Sequence, residues 1–380
     1  MTRPTTSARG PRGAVLAVLA ALLAVALAAC TIERATPQRT GTETTAATDT
    51  SAAPDTTAAP RAAAKPGEAR GAAVTIVFGG DVHFEGAIGR RLARDPETTV
   101  GPIATVLRQA DLAMVNLETA VTERGTPAAK EFTFRAPPSA FTALAAAGID
   151  AATMANNHGM DYGLSGLRDS LAAARAARFP VVGIGRDAAE AFVPLRLEAG
   201  GWRVAVLGAT QVLDAGLAAA WSAGDGKPGL ASAQGGAERL LAAVAAARRS
   251  ADTVVVFLHW GQELARCPLA RQRALAQALV EAGADVIVGS HAHVLLGGGR
   301  LGGAYVAYGL GNFVFTAASA ATTASGVLEL TVRGRSVERA AWHPARIRGG
   351  VARPLDGPAA ARALDEWQSL RGCTGLAPGP

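Results

Sequence analysis

His291 and His293 stand one residue apart just beyond the β-branched run Val286-Ile287-Val288. In extended or tightly turned backbone, such an i, i+2 pair can aim two imidazoles at one point, which suits a transition-metal cation. Taken alone, the pair is as readily a strand end with two solvated histidines. Other loops shift that balance. Asp81 and His83 follow the run Val74–Phe78 and place a hard oxygen beside a borderline nitrogen, a half-site for Zn²⁺, Mn²⁺ or Fe. Glu118 follows Leu112–Val115, where its carboxylate could bridge two cations or cap a turn. Asn157 and His158 lie in a polar loop, 155–163, that carries Gly159 and Gly163. The Asn carbonyl oxygen can ligate, and the neighbouring His can act as a general acid. His259 directly follows the apolar run Thr253–Leu258.

These loops need elements to hold them. Strands are predicted over 74–78, 112–115, 149–154, 181–184, 253–258, 286–288 and 305–308. Helices are predicted over 100–110, 141–147, 164–177, 232–249 and 268–282. Strand, polar loop, helix, strand is the alternation that makes parallel sheets with helices on their faces. Ligands then gather outside the carboxyl ends of the strands. Asp81, His83, Glu118, Asn157, His158, His259, His291 and His293 all fall at such ends. Gly200-Gly201 predicts a hairpin between strands near 192–197 and 202–207. Residues 208–229 have no assignable structure. Two late strands, near 327–332 and 337–343, precede a short helix around 359–370 and a loose tail.

Composition narrows the classes further. The chain has 380 residues, 44 of them Gly, with a formal charge of +6. Arg3, Arg9 and Arg12 contribute part of that charge ahead of the uncharged stretch Gly13–Cys30, so nothing points to nucleic acid. A basic segment before a short apolar run reads as a signal peptide, too short for a comfortable membrane span. It ends in Leu27-Ala28-Ala29-Cys30, which resembles a bacterial lipobox. That resemblance implies residues 1–29 as a signal peptide and a lipid on Cys30. It also implies export, with anchoring to the outer face of the cell membrane. Residues 30–71 are rich in Thr, Ala and Pro and read as a disordered tether reaching about 35 Å. Residues 72–350 form the folded domain, and 351–380 the C-terminal helix and tail.

Six motifs occur in order: Gly-Asp-x-His (80–83), Asn-x-Glu (116–118), Asn-Asn-His-x-x-Asp-x-Gly (156–163), His-Trp-Gly-x-Glu (259–263), Gly-Ala-Asp-x-x-x-Gly-x-His-x-His (283–293) and Tyr-x-Leu-Gly-Asn-Phe (308–313). Together they resemble the CapA family, associated with capsule and poly-γ-glutamate synthesis within the calcineurin-like metallophosphoesterase superfamily. The resemblance implies an α/β fold, a four-layer sandwich of two mixed sheets flanked by helices. It implies two divalent ions, Mn, Fe or Zn. Asp81, His83 and His293 would hold the first, and Asn157, His259 and His291 the second. Glu118 would link them where the superfamily has an Asp, and His158 would donate a proton to the leaving group. Asp161 lies three residues beyond His158, whereas the superfamily places its acid directly after the histidine.

Two cations about 3.5–4 Å apart polarise an attacked group and lower the pKa of water, for phosphoesters or for amides. A γ-glutamyl amide and a phosphorylated lipid intermediate are both candidate substrates. The alternative is a non-enzymatic assembly or export factor for an anionic cell-surface polymer, within a capsule-synthesis membrane complex. Arg135 and Asn312 are the candidate substrate-binding residues. His343, beside Trp342 and Pro344, is expected to be structural. With Cys30 lipidated in an oxidising compartment, Cys267 and Cys373 are expected to pair, holding down a tail with little apolar surface of its own.

Overall fold

The structure, a computed structural model, describes residues Gly71–Pro380; the expected signal peptide, lipidation at Cys30 and tether lie outside them. Two mixed sheets form the framework. In the larger, the parallel strands Val74–Val82, Leu112–Leu117, Ala151–Thr153 and Val181–Val182 lie side by side. Asn312–Val314 adds in parallel to Val74–Val82, and Ala324–Arg333, Ser336–Arg348 and Val351–Pro354 continue antiparallel beyond it. The second sheet sets Trp202–Thr210, Thr253–His259, Val286–Ser290 and Ala304–Leu310 in parallel, edged by antiparallel Leu195–Ala199 and Leu295–Leu301.

Strands buried on both faces read as unbroken apolar runs, and here the two faces have separate cores. Ile76, Phe78, Met114, Val206, Val255, Phe257 and Val288 pack between the sheets. Val77, Val115, Ile88, Leu92, Phe141 and Leu167 pack the first sheet against its helices, while Val256, Ile287, Leu240, Val244 and Leu279 do so for the second. Helix, sheet, sheet, helix is the expected four-layer order.

Several boundaries differ from expectation for local reasons. The helix expected over 232–249 covers only Glu238–Arg248, because Gly235 takes φ +86° and Gly236 follows it. That expected over 100–110 shrinks to Ala104–Leu107 behind Gly101-Pro102. An unforeseen helix, Gly86–Arg94, follows the first strand and buries Ile88 and Leu92, one turn apart. Residues 208–229 contain the end of a strand, a turn of helix at Ala218–Trp221 and the start of Gly229–Leu230, which pairs with Ile184–Gly185. The predicted hairpin forms, with Gly200 and Gly201 both at positive φ as a two-residue turn requires.

The tail is not loose. Trp367 of the helix Gly357–Ser369 stacks on Trp342 at 4.1 Å, and Leu376 is buried. Arg300 and Ala377 exchange backbone hydrogen bonds of 2.9 and 3.0 Å. Cys267 and Cys373 are joined as a disulfide with Cα atoms 5.7 Å apart, so the bond adds to a docked segment. His343 bonds Glu329 on the adjacent strand at 2.8 Å, as expected of a structural residue.

Candidate metal centre

The first strand reaches the site through a register shift between Phe78 and Asp81. Gly80 makes it possible: a Cβ there would lie 1.9 Å from the Gly311 carbonyl oxygen, which instead accepts the Asp81 N–H at 2.9 Å. Asp81 is thereby turned into the crevice with no exposed surface. Glu118 follows its strand by one residue and is equally buried, and His259 is the last residue of Thr253–His259. Beyond Val286–Ser290 the chain bends so sharply that His291 takes φ +88° and His293 φ +55°. Left-handed backbone at non-glycine residues is costly and clusters at functional sites, and here it presents both rings to one crevice.

Two groups of donor atoms result, each with every atom within 4.8 Å of the others. One comprises Asp81, Glu118 and His259; the other Glu118, His291 and His293. Glu118 belongs to both. The expected grouping set His293 with Asp81 and His259 with His291; His293 Nδ1 does lie 3.3 Å from Asp81, and the His259 and His291 rings are 4.7 Å apart, so the four side chains adjoin in both senses. Neither carboxylate oxygen of Glu118 has a hydrogen-bond partner, nor does His291 Nδ1, although all three atoms are buried. Buried polar atoms are nearly always satisfied, so these three fit a cation-binding role. Carboxylates and imidazoles are also the donors that divalent transition metals take.

Asparagines hold the ligands in place. Asn116 Nδ2 donates to Asp81 Oδ1 at 2.8 Å and faces His259 Nδ1 at 3.1 Å. Asn156 Nδ2 donates to Asn116 Oδ1 at 3.0 Å and to the Leu117 carbonyl at 2.9 Å. Asn157 Oδ1 meets His259 Nε2 at 2.7 Å, and Ser290 Oγ lies 3.1 Å from His259 Nδ1. Such outer partners fix ring orientation and tune ligand basicity.

Charge follows burial. Burial, with His291 alongside, holds His259 well below the usual imidazole range, and burial with His293 alongside holds His291 down to about 3. Both are therefore neutral at pH 7, the form that ligates. Burial, reinforced by Asp81, raises Glu118 well above the usual carboxylate range. Burial opposes the charge on His293, but Glu118 and Asp81 outweigh it and lift that ring to about 10. The crevice calls for positive charge.

His83 does not face the cluster. Its Nε2 accepts the Thr316 N–H at 2.9 Å, and its ring lies between Phe134 and Phe315 at 4.8 and 4.0 Å. A ring nitrogen committed to a backbone donor is not available to a metal, so His83 stands as a wall of the site. His158 Nδ1 bonds Asp161 Oδ2 at 2.6 Å, Phe134 stacks on the ring at 4.0 Å, and Nε2 makes no hydrogen bond among the described residues. The sequence spacing thus supplies the acid partner, three residues on instead of adjacent. Burial outweighs Asp161 and lowers the pKa of His158.

Arg135 is exposed and stacks over Tyr162, 5.1 Å from the ring centre. Asn312 is buried; Oδ1 bonds His293 Nδ1 at 2.8 Å, and Nδ2 donates to the His293 and Thr322 carbonyls. It positions a ligand and has little left for substrate. Sequence reasoning passed over Lys130. Its ammonium, nearly buried, meets the Asn157 carbonyl at 2.6 Å, Asp214 at 3.0 Å and Asp161 at 3.2 Å. No periodicity marks it; its only signal was a lone Lys in the loop between the second motif and its following helix. Asn116 and Asn156 lie inside two of the six motifs, where only their neighbours Glu118, Asn157 and His158 were expected to act.

A sequence model of the family described as bacterial capsule synthesis protein PGA_cap matches residues 75–317, the span that holds every residue of this centre. The chain belongs to this family. It is 32% identical over 256 residues to the PGA biosynthesis protein CapA of Bacillus subtilis, covering 67% of this chain and 66% of that one. It is 35% identical over 217 residues to the capsule biosynthesis protein CapA of Bacillus anthracis, covering 56% and 51%. A probable polyglutamine synthesis accessory protein of Mycobacterium tuberculosis is 31% identical over 189 residues, covering 48% and 50%. The chain thus spans between half and two thirds of the curated relatives it matches. Among solved structures, a hypothetical protein of Thermus thermophilus aligns over 72% of this chain and all of its own, at 18% identity and TM-score 0.44. A phosphatase from Mycoplasma pneumoniae aligns over 77% and 97%, at 17% identity and TM-score 0.43.

Proposed function

We propose that this family member is a metal-dependent hydrolase acting in capsule or poly-γ-glutamate synthesis, with two divalent cations sharing Glu118. One observation carries the proposal: Glu118 belongs to both donor groups, and both its buried oxygens lack a hydrogen-bond partner. Asp81 and His259 would complete one site, His291 and His293 the other, with Asn157 Oδ1 beside His259. Bound there, Mn, Fe or Zn would supply Lewis-acid polarisation of the attacked group and a water of lowered pKa.

The chain's own groups do the rest. Asp161 holds His158 by Nδ1, which leaves Nε2 to take up and deliver a proton at the leaving group. Phe134, Phe315 and His83 pack side by side and keep bulk water from that proton. The roles of the relatives in capsule and PGA synthesis support a γ-glutamyl amide, or a phosphoester of the same assembly route, as substrate. The Leu27–Cys30 motif supports export and lipid anchoring on the outer face of the membrane, next to such a polymer and its synthesis complex.

Elemental analysis joined to turnover tests the proposal. The wild type should hold two metal equivalents, and His291→Ala should lose at least one. Phosphodiesters and poly-γ-glutamate are then assayed with both proteins. Unchanged metal content in the variant overturns the site. Full metal content with no turnover on any substrate leaves a non-enzymatic assembly factor.

A further inference from the structure

The register of the parallel strands Thr253–His259 and Val286–Ser290 sets Ser290 directly beside His259, and both side chains are buried. A chain of amides fixes where the proton of that ring sits. Asn156 Oδ1 accepts the His158 N–H at 3.1 Å, and Asn156 Nδ2 donates to the Leu117 carbonyl, so this amide has one orientation. The same Nδ2 donates to Asn116 Oδ1, which turns Asn116 Nδ2 toward Asp81 Oδ1 at 2.8 Å and His259 Nδ1 at 3.1 Å. A donor thus faces His259 Nδ1. In the metal-free protein Nδ1 is therefore the acceptor, and the ring proton lies on Nε2, where Asn157 Oδ1 accepts it at 2.7 Å. Yet Nε2 is the nitrogen that can reach a cation. It lies 3.4 Å from Glu118 Oε1, while Nδ1 is shut in by Asn116 and Ser290. The resting tautomer is the wrong one for ligation.

We propose that Ser290 is a positioning residue that lets His259 change tautomer when a cation binds. To ligate as a neutral ring, His259 must give the Nε2 proton to solvent and take one up at Nδ1. Asn116 Nδ2 cannot accept a hydrogen bond from that new N–H. Ser290 Oγ, 3.1 Å away, is the only acceptor that the described residues offer it. The hydroxyl's own hydrogen has another place to go, the Leu258 carbonyl at 3.2 Å. Ser290 therefore receives the Nδ1 proton without leaving a buried group unpaired, whereas a methyl group in its place would strand it. This role rests on the metal-dependent reading above.

Zn²⁺, which is diamagnetic, is the probe. On the full-length protein, nitrogen NMR of labelled histidines reports which ring nitrogen bears hydrogen, with His259→Gln identifying the signal. The wild type should read Nε2–H in chelator and Nδ1–H with Zn²⁺. Ser290→Ala should keep the Nε2–H form in chelator but bind Zn²⁺ about 10- to 100-fold more weakly, the usual cost of removing a ligand's hydrogen-bond partner. Ser290→Thr, which keeps the hydroxyl, should restore binding. Nδ1–H in the metal-free wild type, or Nε2–H with Zn²⁺ bound, overturns the proposal. Equal Zn²⁺ affinity in wild type and Ser290→Ala overturns the role of Ser290 and leaves the metal centre standing. Absence of Zn²⁺ binding in the wild type overturns both. Should Ser290→Ala misfold, the two wild-type spectra still decide, because they need no change at position 290.

Discussion

Glu118→Gln should change sign with metal. In the metal-free protein the Glu118 carboxylate has no exposed surface, both oxygens lack hydrogen bonds, and Asp81 sits in the same donor group. An unsatisfied buried polar group costs about 1–3 kcal/mol, more when charged. Gln has the same shape and carries no charge, so the desolvation cost of the carboxylate is removed; the ion pair to His293 is lost with it, but at 3.9 Å it is long, so the variant should equal or exceed the wild type by up to about 3 kcal/mol. For a domain of this size, each kcal/mol moves Tm by about 2 °C, so metal-free Glu118→Gln should melt about 0–6 °C above wild type. Metal reverses the order. A cation at about 100 times its Kd adds about 2.7 kcal/mol to the wild type. The variant lacks the carboxylate common to both donor groups and should gain far less. Scanning calorimetry on both proteins, in chelator and in excess Mn²⁺ or Zn²⁺, reads both arms. Two outcomes would refute the reasoning: equal metal-induced shifts in the two proteins, or a metal-free variant several kcal/mol less stable than wild type. The second would mean that Glu118 braces the fold.

Other substitutions probe the surroundings. His158→Ala should keep its metals yet lose turnover by about 10²–10⁴-fold, less with good leaving groups, which need no proton; equal loss for activated and unactivated substrates would exclude the acid role. Lys130→Met leaves Asp161 buried without its ammonium partner, so denaturant unfolding should show a loss of about 3–5 kcal/mol. A loss below about 1 kcal/mol would show that His158 and the Phe134 N–H satisfy Asp161 unaided. Replacing Cys267 and Cys373 by Ser opens a loop of 106 residues, worth at most about 4–5 kcal/mol in the chain-entropy model. The Trp342–Trp367 stack and the Arg300–Ala377 bonds still hold the tail, so the measured loss should fall below that ceiling, and equal Tm with and without reductant would show the bond to be idle.

Sequence alone determined which residues stand at the edge where a site could form. Apolar runs alternating with helices predict parallel strands, and the carboxyl ends of parallel strands share one edge. Asp81, His83, Glu118, Asn157, His158, His259, His291 and His293 are all placed at that edge by topology before any coordinate is known. Only the tertiary structure decided what each does there, because side-chain direction beyond a strand end depends on local φ and on partners distant in sequence. His83 sits two residues from Asp81, yet the Thr316 N–H, from the far end of the motif region, turns it away. Asn312 looked free for substrate until His293 claimed its oxygen, and Arg135 drifted onto Tyr162. Lys130 carries no pattern at all; it matters because three loops converge on one nearly buried ammonium. The pairing of Glu118 with two donor groups is likewise a property of two sheets packed face to face, since His259 and His291 come from the sheet opposite its own.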